Sequence, residues 1–411
     1  NNCIGGVIQW VNNSASGVQN TTVKLTGDQT QTANTPADGA YLFKLGTGSN
    51  FTVTPTKNIN KTNGLSSADA TAIQQHVANI NHLSGPFKRI AADVNKSNSI
   101  NTLDASLITQ ALLGNQAALN QITSWRFVPA SYNFPNPNVP WGFPEKITIS
   151  ALYGTLNDQN FTGIKLGDVV ATWANPVNFG AGQPLVLRVQ NPVLQAGAEV
   201  AAEFRADQID DLNSFQLALH FDPEQVQFAG IEPLDGLPVS ADNFGTYNAA
   251  EGEIRLVWAQ EKSMPLSESA PIFRLRLKAL QSGARLSEVL RLNDEALPAH
   301  VYNSAYAESG VELRYLASTG TEPEALETGL SLDNRPNPFA GVTTLRFVVP
   351  EAGEAELRIS DAAGRLLFSQ KKKYAAGRHE ETLRLDGAAG VLLAELVTEQ
   401  GSVVRKLLAL R

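Results

Sequence analysis

One cysteine and one methionine in 411 residues make the chain poor in sulfur. Cys3 has no second thiol to pair with, which excludes an internal disulfide framework. Charge is also sparse: 18% of residues are charged and 43% are hydrophobic, enough apolar side chain to fill cores and too little charge to favour disorder. No run approaches the roughly 18 consecutive apolar residues of a membrane-spanning helix. No basic region followed by an apolar segment opens the chain, so any export signal is expected to have been removed or to lie upstream of Asn1. No segment is strongly basic, which argues against nucleic acid as the main partner, because neutralising phosphates takes grouped cations.

Catalytic signatures are equally scarce. Nucleophile elbow, phosphate loop and zinc spacing are all absent. The His residues are His76, His82, His220, His300 and His379. Of these only His76 and His82 lie near one another, and six residues apart they would fall on different faces of a helix. The pair Asp210-Asp211 reads as solvated surface. No catalytic set is expected, and the chain reads as a non-enzyme.

What the sequence does contain is modular. A length of 411 residues suggests three or four domains at about 150 residues each. Residues 1–180 carry 10 Lys/Arg and 8 Asp/Glu, residues 181–329 carry 10 and 22, and residues 330–411 carry 12 and 10. Such steps in charge mark domain changes.

Short β-prone runs open the chain at Val7–Val11, Thr22–Leu25, Tyr41–Phe43 and Phe51–Val53, with turn signals at Gly27-Asp28 and a hairpin signal at Asp38-Gly39. They predict a small sandwich over 1–57. The period then changes. Ile73, Val77 and Ile80, and 35 residues later Leu107, Ile108, Ala111 and Leu112 ending at Gly114, predict two amphipathic helices, each after a polar loop. Residues 116–180 are rich in Pro, Asn and aromatics and predict an irregular wrap over the helix pair. Strands resume at Leu185–Val189, Val200–Arg205, Phe215–Phe221, Gly252–Trp258 and Ile272–Ala279. Alternation of Phe215, Leu217, Leu219 and Phe221 with smaller or polar residues predicts one buried and one wet face. A Ser/Thr/Gly/Pro/Glu linker at 319–329 precedes a last sandwich over 330–411, with Lys371-Lys372-Lys373 as a solvated hairpin.

The two polar loops hold the one constellation that reads as a site. Asp93, Asn95, Ser97, Ser99, Asn101 and Asp104 stand at positions 1, 3, 5, 7, 9 and 12 of a twelve-residue calcium loop, where alternation turns successive oxygens inward toward a hard cation. In the earlier loop Asn58, Asn60, Thr62, Gly64, Ser66 and Asp69 hold the same places with a single carboxylate. Calcium is expected at the second loop, with weak affinity on the order of 10⁻⁴ to 10⁻³ M. The first loop is the poorer candidate. An Asx turn followed by a helix cap, with no metal, is the plain alternative for both.

Four family resemblances attach to these segments. Gly17-Val18, Thr22–Leu25 and Asp38-Gly39-Ala40-Tyr41-Leu42-Phe43 resemble the carboxypeptidase regulatory-like fold, a non-catalytic spacer. The run Asp93–Asp104 closely resembles a dockerin repeat, with Asn98 where Gly is usual and Ser97 where an acid is usual. Residues Phe215–Phe228, Asp242–Gly245 and Gly252–Trp258 resemble a cohesin. The tail resembles the type IX secretion C-terminal sorting domain through Pro336-Asn337-Pro338-Phe339, Leu357–Arg365 with Asp361 and Gly364, Gly390–Ala394, and Gly401–Leu407 with Lys406.

The expected fold is therefore mainly β: a multidomain chain of immunoglobulin-like or jelly-roll sandwiches with one small α-helical dockerin-like unit at 58–180. A cohesin-like sandwich is expected at 181–318 and a sorting domain at 330–411. The resemblances imply a secreted structural or adhesive protein on the surface of a Gram-negative bacterium. Its partners would be the type IX translocon and associated outer-membrane proteins, acting through residues 330–411, with any surface or matrix partner undefined. Two alternatives stay open: the accessory and sorting tail of a larger exported hydrolase, or a carbohydrate-binding or scaffolding module with Trp125 or Trp141 as platform. Because the dockerin-like and cohesin-like units adjoin, rigid packing within the chain is favoured over capture of partners in trans.

Overall fold

A computed structural model of the protein describes residues 2–11, 13–46, 48–170, 183–317, 331–335, 339–361, 364–385, 390–398 and 401–410. The expected linker 319–329, the wrap beyond residue 170 and Pro336-Asn337-Pro338 lie outside the described residues. Two compact units divide the chain, Asn1–Tyr315 and Leu316–Arg411. Strands predominate in both. Helices of more than one turn fall, among the described residues, between Ser67 and Gln121.

The first sandwich does not close at residue 57. One of its sheets runs in the order Gln31–Asn34, Thr22–Gly27, Phe51–Thr56, Ile147–Ile149. The other is built around Asn2–Trp10, which pairs in parallel with Phe161–Lys165, itself antiparallel to Trp125–Pro129. The segment read as irregular wrap thus supplies strands, and the helical unit is an insertion between Phe51–Thr56 and Trp125–Pro129. Alternation explains why: Trp125, Phe127 and Phe161 join Ile8, Trp10, Val23, Phe43 and Phe51 in one core, burial that outweighs the turn-forming composition around them. Asp38-Gly39 is not a hairpin turn either. Gly39 takes φ +74°, but the strand after it, Ala40–Leu45, pairs with Asn2–Trp10 while Gln31–Asn34 pairs with Thr22–Gly27. The turn carries the chain from one sheet to the other.

In the insertion, helix α1 spans Ser67–Val77, α2 Gly85–Ala92, α3 Thr102–Leu112 and α4 Gln116–Gln121. The bounds of α1 and α3 repeat at the 35-residue offset expected. Each starts at a capping box: the Ser66 N–H donates to Asp69 Oδ2 at 2.8 Å, and the Asn101 N–H to Asp104 Oδ2 at 3.0 Å. Helix α1 stops sooner than the apolar spacing suggests, because Asn79 turns to φ +57°, and Ile80 lies beyond it, exposed. Helices α2 and α4 were not expected. Ser84-Gly85-Pro86 starts α2 with proline in the first turn, where its missing N–H costs nothing.

The second sandwich, from Leu185 to Ala317, forms one continuous ten-stranded sheet folded over a core of Phe204, Phe215, Phe221, Trp258 and Phe273 among others. Its central strands, Ile209–Phe221 and Glu253–Leu266, pair through Phe215↔Trp258 and Leu217↔Leu256. Here the expectation of a wet face fails. Ser214, Gln216 and Ala218 are as buried as their core-facing neighbours, because α1 lies across them, with α3 against the adjoining strand Glu253–Leu266.

The C-terminal unit is a sandwich of its own. Ser331–Arg335, Val342–Val349 and Gly377–Arg384 form one sheet, and Phe339–Ala340, Gly401–Leu410, Gly390–Thr398, Gly353–Asp361 and Leu366–Tyr374 the other. Leu345, Phe347, Leu357, Ile359 and Leu396 fill the space between.

Candidate functional site

The second loop is closed by its own carboxylates. Asp93 Oδ1 accepts the Ser97 N–H at 2.7 Å and Oδ2 the Asn98 N–H at 2.9 Å. Asp104 reaches back from the first turn of α3, with Oδ1 accepting the Val94 N–H at 3.1 Å. Lys96 and Asn98 take positive φ, which bends the loop tightly, and Asn98 does so as the left-handed tolerance of Asn allows. Asn95 Oδ1 accepts the Ser97 N–H at 2.9 Å, and the Ser97 and Ser99 hydroxyls lie 2.9 Å apart. The six oxygen-bearing side chains are thus gathered on one short loop, with both carboxylates fully buried. Burial first, helped by the negative charge of Asp93, pushes the Asp104 carboxyl up to about 6 against the hydrogen bonds of Asn101, Val94 and Asn95. Two buried carboxylates with neutral oxygens around them fit a hard divalent cation, which would repay the cost of keeping both ionised.

The first loop, in the same register, is wired differently. Asn58 Oδ1 accepts the Ser124 N–H at 3.0 Å. Asp69 Oδ2 accepts both the N–H and the hydroxyl of Ser66 at 2.8 Å, while Oδ1 accepts the Val169 N–H at 2.8 Å and the Val170 N–H at 2.9 Å. Four donors saturate this carboxylate. Alongside it, the buried Lys165 ammonium donates to the Lys61 carbonyl at 2.9 Å and the Leu166 carbonyl at 3.0 Å. Burial lowers the Lys165 ammonium to about 8, with Asp168 and Asp69 pulling it back up. Burial and Asp168 push Asp69 upward in turn. The residues Asn58, Asn60, Thr62, Gly64 and Asp69 therefore do not converge as a ligand set. Among the described residues, no cluster of three or more His, Cys, Asp or Glu side chains is placed to hold a metal ion, so only a site built largely from Asn and Ser oxygens comes into question.

Against the second sandwich, the helix pair buries a common core. Ala218, Val257 and Leu297 of the sandwich pack with Ile73, Ile108, Ala111 and Leu112 of α1 and α3. Polar groups seal it. Gln216 Oε1 accepts the Ser67 N–H at 2.8 Å, and Gln216 Nε2 donates to the Pro298 carbonyl at 3.1 Å. Gln75 Nε2 donates to the Glu261 carbonyl at 2.9 Å, and the Tyr306 hydroxyl donates to Gln75 Oε1 at 2.6 Å. Arg255 donates to the Leu112 carbonyl at 3.1 Å, at the end of α3. A Cβ on Gly245 would stand 2.1 Å from the Leu113 carbonyl oxygen, so only glycine fits beneath that helix end. Packing of these two units within the chain was expected, but the strand face that makes it was read as wet. Its signal was the small or amide character of Ser214, Gln216 and Ala218, which suits close helix approach better than water.

Other residues singled out above fall as follows. His76 and His82 do meet: α1 ends at Val77, and the chain folds back so that their rings stack edge to face 5.6 Å apart. Burial, Arg89 and His82 lower His76. A cleft of about 680 Å³ between the first loop and the sandwich is lined by Gln216, Arg255, His300, Tyr302 and Glu308 among others. In it the Tyr302 hydroxyl donates to Glu308 at 3.0 Å, and burial with the Glu308 charge drives the Tyr302 phenol far up, leaving it protonated. Trp125 is buried, stacked against Phe127 at 6.3 Å, and Trp141 is half-buried on the helix core; a flat sugar platform needs a free ring face, which Trp125 lacks.

In the C-terminal unit the motif residues are turn formers. Asp361 accepts from the Arg365 N–H at 2.9 Å, and Gly364, Gly390 and Gly401 take φ +81°, +88° and +148°. Phe339 is core, and the backbone of Lys406 pairs with Leu393. Lys371-Lys372-Lys373, expected as a hairpin, lie instead within the strand Leu366–Tyr374, where Lys371 and Lys372 pair with Glu354 and Glu381.

No family model and no curated protein matches the chain. Solved structures resembling it include cohesins. The sixth cohesin of scaffoldin B from Acetivibrio cellulolyticus, in complex with a dockerin, aligns at 10% identity over 32% of this chain and 94% of that one, with a TM-score of 0.26. A type I cohesin–dockerin complex from Clostridium thermocellum aligns at 16% identity over 33% and 92%, TM-score 0.27. A cohesin module of a family 33 glycoside hydrolase from Clostridium perfringens aligns at 14% identity over 32% and 98%, TM-score 0.22.

Proposed function

We propose that the chain is a non-catalytic, modular structural or adhesive protein of a Gram-negative cell surface, exported by the type IX route, in which the helix pair is a fixed joint. The observation that supports it best is the far face of Ile209–Phe221, buried under α1 by this chain's own helices. A module that captured partners in trans would keep that face wet, whereas here it is sealed by Gln216, Gln75 and Arg255. Calcium at the second loop would stiffen the start of α3, and with it the joint.

Hydrogen exchange on the full chain tests the joint. The amides of α1 are expected to open with the same free energy as those of Ile209–Phe221. Helix amides that open far more readily than the strand would mean a detachable module and overturn the reading. Export is tested separately in a bacterium with the type IX machinery. A chain ending at residue 315 should stay behind while the full chain reaches the surface, and equal delivery of both would remove any sorting role from residues 330–411. The intact mass of the surface protein then separates a working chain of 44.1 kDa from the tail of something larger.

A further inference from the structure

We propose that the Lys165 ammonium is the resident cation of the first loop, so that this duplicated helix unit takes a divalent ion at one loop rather than two. The inference rests on the reading of the two loops as a duplicated calcium-type element, and concerns the copy that does not fit a metal.

The two loops differ at equivalent places. In the second, the carboxylate at position 12 ties back to the N–H at position 2, Val94, and closes the loop on itself. In the first, the corresponding Asp69 oxygen turns instead to the N–H groups of Val169 and Val170. These belong to the segment that follows the strand Phe161–Lys165. The same segment delivers Lys165, whose ammonium bonds the carbonyl of Lys61 at position 4 of the loop. Its Leu166 N–H donates to the Ser124 carbonyl and its Gly167 N–H to the Ala91 carbonyl, fixing it between α2 and the end of the insertion. Residues 165–170 therefore enter the first loop as a plug that carries its own positive charge.

The electrostatics follow the wiring. Lys165 is 2% exposed and shares its surroundings with Asp69 and Asp168, both buried. A buried cation with two carboxylates and two carbonyls for company does the work that a metal does in such a loop, at fixed stoichiometry and without dependence on the medium. The second loop has no such residue: Lys96, within it, reaches outward to Glu145 at 3.8 Å.

Calcium titration of full-length variants tests this. With Asp104→Asn removing the second loop, the chain should bind no calcium, and calcium should leave its melting midpoint unchanged. Lys165→Met in that background keeps Asp69 and Asp168 but removes the ammonium that anchors residues 165–170 to the Lys61 carbonyl, so that Val169 and Val170 can release Asp69 Oδ1 to meet an ion. Calcium at a hundredfold excess over its Kd should then raise the midpoint by about 5 °C. Lys165→Arg in the same background keeps a cation, and should fold and stay silent to calcium. Calcium binding by Asp104→Asn alone, or a calcium response of the arginine variant, would overturn the proposal, as would a folded methionine variant indifferent to calcium. Should the methionine variant not fold, the other two decide. A wild-type chain that binds no calcium at all refutes only the second-loop reading, provided the methionine variant responds.

Discussion

Replacing Gln216 by Ala tests the joint at its most exposed assumption, that the sandwich supplies a partner the helix cannot supply for itself. The first N–H groups of any α-helix lack intrahelical acceptors. In α1 the Ser67 N–H is fully buried, and its acceptor is Gln216 Oε1 at 2.8 Å. Truncation orphans this donor, at about 1–3 kcal/mol for a buried unsatisfied group. The Pro298 carbonyl, which loses the Gln216 amide at 3.1 Å, sits on an exposed residue and recovers water, so it adds little. Two lost methylene-sized groups beside the cleft add on the order of 1 kcal/mol. The sum is roughly 2–4 kcal/mol. Gln216→Met, which keeps the volume and loses both hydrogen bonds, should recover the packing share only, about 1 kcal/mol. Urea unfolding would be followed by far-UV ellipticity for the helices and by the NMR signal of the Trp258 indole N–H, which is buried in the sandwich core and donates to the Pro238 carbonyl. Both signals should shift together for both variants. A change below about 0.5 kcal/mol in the alanine variant, or a helix transition that moves while that of Trp258 stays put, would refute the idea that helix and sandwich fold as one body.

Three further outcomes are expected. Gly245→Ala places a methyl 2.1 Å from the Leu113 carbonyl oxygen and should destabilise unit 1 by about 2–3 kcal/mol, read by the same unfolding curves; a neutral result would mean that the end of α3 is not held there. In chelator, wild type should lose stability relative to Asp104→Asn as pH rises. The Asp104 carboxyl is raised to about 6 from 3.8, so its folded state favours the proton, a contribution full below pH 4 and lost through pH 6, worth on the order of 1–2 kcal/mol once solvent screening is allowed for. Excess calcium should erase that difference near pH 7, and a pH-independent gap between the two proteins would discount the buried-carboxylate account. Gly364→Ala, at φ +81°, should lower the melting of the C-terminal unit by about 1–2 kcal/mol and leave the transition of residues 1–315 in place, which calorimetry resolves.

Much of the fold was legible because alternation is a local signal. The strands at Thr22–Leu25, Val200–Arg205, Phe215–Phe221 and Ile272–Ala279 stand where the pattern put them, the third starting six residues earlier at Ile209 and the others one or two residues longer at one end or both. The 35-residue repeat placed α1 and α3 and their capping carboxylates Asp69 and Asp104 with equal success. What escaped was non-local. Phe161–Lys165 forms a strand because Asn2–Trp10, more than a hundred residues away, offers it an edge, and Trp125–Pro129 adds to the far side of Phe161–Lys165; their own Pro- and Asn-rich neighbourhood says otherwise. Helix α2 is short, and its start at Gly85-Pro86 reads equally well as a turn. The burial of Ser214, Gln216 and Ala218 was out of reach for the same reason: alternation shows which face of a strand is apolar, not what comes to lie on the other.

The two loops carry the same lesson into the site. Position by position they look like a stronger and a weaker version of one calcium loop, and a count of acids ranks them without saying what sets them apart. The physical difference is where the cation comes from. Asp93 and Asp104 face each other in the second loop with amides and hydroxyls around them. Asp69 in the first is saturated by Ser66, Val169 and Val170 beside a lysine that enters from residue 165. Once Lys165 is in place, the acid at position 1 has nothing to bind, and Asn58 there serves instead as acceptor for the Ser124 N–H, holding the insertion to the strand that follows it. A helix pair seated on one sandwich and threaded through the other is stiff only if neither loop can open. One loop is locked by hydrogen bonds from residues 165–170, which leaves the second as the place where the medium could still tune the joint.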